Sequence, residues 1–172
     1  LCKAMGFILA IHVPIAGLAL LPLFFGLPPI LEPVHIAFLE LIIDPICSIA
    51  FENEPEDKSL MCRPPRAASS PLLPFNKFIW GLVQGAMALI AVATVFVVSI
   101  NYGLAADEAR AVTFGSLIAS IIALVLVNRT FEASVISAFK QPNPTLWVVI
   151  AAATAIFAVT LRWPPARRMF DF

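Results

Sequence analysis

Residues 78–100, FIWGLVQGAMALIAVATVFVVSI, carry no charge, and their polar side chains are only Gln84, Thr94 and Ser99, besides the Trp80 indole. A helix rising about 1.5 Å per residue needs about 20 mostly apolar residues to cross the bilayer core. The stretch therefore predicts a transmembrane helix from Phe78 to Ile100. Working outward gives four more: Ala4 to Phe25, interrupted by Pro14 and Pro22; Val34 to Phe51, containing Glu40 and Asp44; Ala111 to Val127; and Thr145 to Leu161. Gly26-Leu27-Pro28-Pro29 forces a tight, non-helical turn between the first two. A polar, proline-rich stretch, Glu52 to Lys77, precedes the third. Shorter polar links hold Asn101, Asp107, Glu108 and Arg110, and then Asn128 to Asn143 with Arg129, Glu132 and Lys140. The tail Arg162 to Phe172 is basic and aromatic. The expected fold is all-α: an antiparallel bundle of about five transmembrane helices. Its expected divisions are 1–51 (two helices with site residues), 52–77 (a cytoplasmic coupling loop) and 78–172 (three further helices and tail).

Composition agrees. Of 172 residues, 60% are hydrophobic and 13% charged, and mean hydropathy is +0.94. Soluble domains carry roughly 45–50% apolar and about 25% charged residues, and a soluble chain this small could not hide the excess. Eleven basic and 11 acidic residues balance, which argues against a nucleic-acid partner. Cys2, Cys47 and Cys62 are far apart, without a CxxC pair or Cys/His cluster, and read as reduced thiols. The chain opens on Leu1 and runs into an apolar segment too long and too proline-rich for a signal peptide, so Leu1 is expected to lie inside a longer protein.

Orientation follows the basic residues. With a cytoplasmic N-terminus, the inner segments hold Lys3, Lys58, Arg63, Arg66, Lys77, Arg129 and Lys140, against Arg110, Arg162, Arg167 and Arg168 outside. The balance favours the N-terminus inside.

Chemistry concentrates in Phe38-Leu39-Glu40-Leu41-Ile42-Ile43-Asp44-Pro45. Glu40 and Asp44 stand four residues apart, on one face of a helix. A charge at mid-membrane costs roughly 2.5–3.5 kcal/mol on insertion scales. Two like charges on one face cost more unless a cation or proton sits between them, and carboxylates are the hard ligands that Ca²⁺, Mg²⁺ or Mn²⁺ prefer. Pro45 has no N–H, so the Leu41 carbonyl loses its helical partner; Pro14 does the same to Ala10. Transporters build cation sites from such interrupted helices. His12, beside Pro14, joins Glu40 and Asp44 as a candidate metal ligand, although a packing role is the commoner one for a helical histidine. Cys47 and Ser48 read as packing residues. Glu52 to Lys58 reads as a solvated face. Gln84, Asn101 and Arg129 receive no function, and Gly81, Gly85 and Ala88 read as a face for close helix contact.

The order of helix, Gly-Leu-Pro turn, helix with Asp44, and a loop ending Met61-Cys62-Arg63-Pro64-Pro65-Arg66 resembles the P-type cation-transporting ATPases, most closely the calcium-pump-like branch. In that family the segment corresponds to the fifth through ninth transmembrane helices, and Pro164 to Phe172 resembles the link before the tenth. The resemblance covers nearly all of this chain but about the last fifth of a whole pump. It implies that Asp44 is an ion ligand. Glu40 stands where calcium pumps usually carry asparagine. Their fifth-helix glutamate is replaced by Ile15, and their eighth-helix ligand by Ile121, which implies a single site completed by carbonyls of a preceding helix. Arg63, Pro64, Pro65 and Arg66 would couple that site to the phosphorylation domain. The phosphorylation, nucleotide-binding and actuator domains would be partners preceding Leu1. The fragment alone would hydrolyse no ATP and hold no cofactor; ATP and Mg²⁺ would serve the parent protein. The cargo would be a cation such as Ca²⁺, Mn²⁺, Mg²⁺ or H⁺.

Three other readings compete. A heavy-metal pump would use soft ligands such as Cys-Pro-Cys, whereas Pro45-Ile46-Cys47 has one thiol. A stand-alone, non-catalytic membrane fragment would act as a regulatory or assembly partner. A channel using Glu40 and Asp44 as a charged filter would require an oligomer.

Overall fold

In the computed structural model, residues 2–46, 51–53, 71–129 and 143–172 are described. They form six helices: α1 (Cys2–Phe25), α2 (Pro33–Pro45), α3 (Phe75–Asn101), α4 (Ala106–Arg129), α5 (Pro144–Arg162) and α6 (Pro164–Phe170), with no strand among them. Among the described residues, four stretches are long and apolar enough to cross a membrane: Cys2–Phe25, Phe75–Asn101, Ala106–Asn128 and Pro144–Arg162. The chain is an all-helical, multi-pass membrane protein. The second expected span is helical from Pro33 to Pro45, and residues 47–50, with Cys47 and Ser48, lie outside the described part.

Local chemistry explains the boundaries. Helix α1 continues through Pro14 and Pro22 and ends at Gly26, whose φ of 63° is the left-handed conformation that glycine adopts without strain. There the Leu27 N–H reaches back to the Pro22 carbonyl at 3.3 Å. Helix α3 ends likewise at Gly103, φ 80°, with Leu104 N–H donating to the Ser99 carbonyl at 3.2 Å. Helix α5 begins where the Asn143 side chain accepts the Leu146 N–H at 3.0 Å and Pro144 takes the first turn, which has no need of its missing donor.

One expectation needs correction. Helix α4 begins at Ala106 rather than Ala111, because Asp107 and Glu108 fill its first turn, where acidic side chains favour the positive end of the helix dipole. Arg110 is therefore helical and buried rather than part of a polar link. The basic, aromatic tail carries a further short helix: Pro164 follows the end of α5 and starts α6.

Helices α1, α3 and α4 form the packed centre. The seam between α1 and α3 is built on glycine. A Cβ on Gly85 would stand 2.5 Å from the Ala10 carbonyl oxygen and 2.7 Å from Val13 Cβ; one on Gly81 would stand 3.2 Å from the Gly6 carbonyl. The small-residue face expected on the third helix is this seam. Ala10 is also the residue whose carbonyl Pro14 deprives of a donor, so the freed carbonyl faces bare glycine backbone. Helix α2 touches α5 and α6 and sets His35 and Phe38 against Phe114 of α4. The rings of Phe7 and Phe51, centroids 5.4 Å apart, set the start of α1 beside the residues that follow α2.

Candidate cation site

Helix α2 has two faces. His35, Phe38, Leu39, Ile42 and Ile43 are buried. Ile36, Ala37, Leu41 and Asp44 are exposed, and Glu40 is half-buried. Residues 36, 40 and 44 follow the four-residue spacing of one helix stripe, so both carboxylates lie on the side turned away from the described core. Pro45 closes α2 just beyond them. Pro45 offers no N–H to the Leu41 carbonyl, and the Phe51 N–H donates to the Ile46 carbonyl, five residues back, at 3.1 Å.

His12 is exposed on α1, where its Nδ1–H donates to the Ile8 carbonyl at 2.7 Å. It borders an apolar groove of about 450 Å³ lined by Met5, Ile8, Leu9, Leu73 and Phe78. Among the described residues no three His, Cys, Asp or Glu side chains converge as a metal-binding group, so His12 is not gathered with Glu40 and Asp44 into one set. Arg63, Pro64, Pro65 and Arg66 fall outside the described residues.

Two polar clusters passed unnoticed in the sequence. At the end of the bundle holding the α1–α2 turn, Arg110 is 6% exposed. Its Nε donates to the Pro29 carbonyl at 3.3 Å, and one terminal nitrogen donates to the Asp171 carbonyl at 2.8 Å and also pairs with the Asp171 carboxylate. Around this clamp, Phe114, Phe170 and Phe172 surround the buried ring of His35, with centroids 4.8–5.4 Å from it. His35 Nδ1 accepts the Glu32 N–H at 3.1 Å, fastening the start of α2. Asp171 holds a left-handed backbone, φ 52°, which turns Phe172 inward. The second cluster joins α3 to α4: Asn128 Nδ2 donates to Gln84 Oε1 at 3.1 Å and to the Leu124 carbonyl at 2.8 Å.

The described residues define an all-helical, multi-pass membrane protein with two carboxylates on one stripe of α2. The comparison with protein families then gives the kinship. Residues 28–172 match the family described as "Cation transporting ATPase, C-terminus", and the chain belongs to that family. A comparison with curated proteins finds no match.

Proposed function

We propose that this chain is the ion-binding membrane portion of an ATP-driven cation pump of the calcium-pump-like branch, and that Glu40 and Asp44 hold the cargo. The observation that carries the reading is the carboxylate pair, one turn apart on a helix that ends at Pro45 and turned away from the described core. Ionisable side chains in a bilayer avoid lipid and face protein or a water-filled path. The remaining oxygens then come from a helix of the parent protein that packs on this face, together with the Leu41 carbonyl. A single hard cation or a proton suits such a site. His12 has only its Nε2 left to offer, so it is the weakest ligand of the set. The segment containing Arg63, Pro64, Pro65 and Arg66 docks on the phosphorylation domain, and an N-terminus in the cytoplasm puts it on the correct side. Phosphorylation of the parent's catalytic domain drives the exposure of Glu40 and Asp44 to alternate sides of the membrane.

The test is ATP hydrolysis by the full-length parent in detergent, screened across Ca²⁺, Mn²⁺, Na⁺ and K⁺ with Mg²⁺ always present for the nucleotide. One ion is expected to stimulate turnover, and Asp44→Asn to remove that stimulation by at least about tenfold, the equivalent of about 1.4 kcal/mol. Stimulation that survives the substitution would remove Asp44 from the site.

A further inference from the structure

Helix α5 ends in a cluster of cations with no partner among the described residues. Arg162 closes α5, and Arg167 and Arg168 lie in α6, all three exposed and none ion-paired there. The nearest acidic residue in the tail, Asp171, is already engaged by Arg110. Asp107 and Glu108 stand at the same end of the bundle but form no ion pair with these arginines. Trp163, 59% exposed, sits between α5 and α6. Tryptophan favours the headgroup level of a bilayer, where its apolar ring and its N–H are both accommodated. Below this rim runs a groove of about 480 Å³, lined by Ala155, Ala158, Val159, Arg162 and Trp163. Ala155, Ala158 and Arg162 share one stripe of α5, so the groove follows the helix, with its apolar floor in the span and its cation at the end.

We infer that this groove is a binding site for an anionic phospholipid. The acyl chain lies over Ala155, Ala158 and Val159, and the headgroup phosphate is held by Arg162 with Arg167 and Arg168 beside it. The order of chemistry along the groove, apolar then aromatic then cationic, is the order of tail, interface and phosphate in the lipid. Arginine suits the role because its planar fork meets phosphate oxygens in pairs. A neighbouring transmembrane helix would cover the apolar floor equally well but would leave three arginines without counter-charge. The inference goes beyond the proposed pump: it does not use Glu40 or Asp44, and loss of ion-stimulated hydrolysis would leave it standing.

The experiment reconstitutes the full-length parent in bilayer discs of phosphatidylcholine with a minority of phosphatidylglycerol. It then compares the retention of spin-labelled phosphatidylglycerol and spin-labelled phosphatidylcholine at the protein surface. The wild type is expected to prefer the anionic lipid. The triple variant Arg162→Gln, Arg167→Gln, Arg168→Gln should lose the preference, by up to about fivefold per arginine, while the corresponding triple lysine variant keeps part of it. Ala158→Trp, which fills the groove and leaves every charge in place, should lose it as well. Absence of preference in the wild type would overturn the site and indicate that another helix covers the groove. Preference that survives Ala158→Trp would also overturn it, reducing the effect to diffuse attraction by surface charge. Displacement of the labelled lipid by excess inorganic phosphate would overturn the lipid assignment in favour of a free-anion site.

Discussion

The guanidinium of Arg110 answers three acceptors from two distant segments: the Pro29 carbonyl and both oxygen groups of Asp171. Removing it leaves the buried end of α4 without its charge-assisted hydrogen bonds, which contribute about 1.5–3 kcal/mol when shielded and less where, as at Asp171, the acceptor is exposed. Arg110→Ala should therefore lower the thermal inactivation temperature of the detergent-solubilised parent by several degrees. Arg110→Lys should recover only part, since a single ammonium cannot replace the fork. Asp171→Asn should be the mildest, because its backbone carbonyl and Pro29 still accept from Arg110. Equal stability of all three variants would contradict the clamp. Arg110 was illegible in sequence because its partners lie 81 and 61 positions away, and a lone arginine beside Asp107 and Glu108 looks like any polar link. Glu40 and Asp44 were legible for the opposite reason: their spacing is local, and a charge inside an apolar helix stands out. Gln84 and Asn128 fall between these cases. Each is an isolated polar residue in sequence, and only the crossing of α3 and α4 makes them a pair.

At the scale of elements, apolar length alone identified every long helix, and the glycine face of α3 marked a tight contact before its partner was known. What length could not supply was the start of α4, where acidic residues extend a helix beyond its apolar run, or the small α6, which rests on a proline boundary and two inward phenylalanines. The seam between α1 and α3 makes a graded prediction. Gly85→Ala puts a methyl against backbone oxygen at 2.5 Å, whereas Gly81→Ala meets the Gly6 carbonyl at 3.2 Å and a flexible Leu9. Overpacking typically costs about 1–3 kcal/mol. Gly85→Ala should fall in that range and Gly81→Ala below it, as read by thermal unfolding of purified protein. A reversed order would mean that the seam is not where α1 and α3 are held together.

For the whole molecule, the α1–α2 turn, the α3–α4 turn and the α5–α6 corner belong to one end, joined there by Arg110, His35 and their aromatic surround. The orientation expected from the basic residues would put that end outside. Single cysteines introduced at Asp107 and Arg168, in a parent lacking reactive native thiols, should react with a membrane-impermeant maleimide from the outer face of sealed cells. One at Lys58 should react only after permeabilisation. The opposite labelling pattern would invert the orientation and detach the 54–70 segment from any cytoplasmic domain. The family match covers the same helices from residue 28 onward.

Proline in a transmembrane helix is often taken as a joint about which the two halves swivel. In α1 the space such a joint needs is already filled: the carbonyl freed by Pro14 abuts Gly85, and Val13 closes the other side. Helix α1 is thus splinted to α3 at its weakest point, and any tilt of one must carry the other. Helix α2 is anchored differently, through the buried rings of His35 and Phe38 set against Phe114 and Phe170, and its opposite stripe bears the two carboxylates.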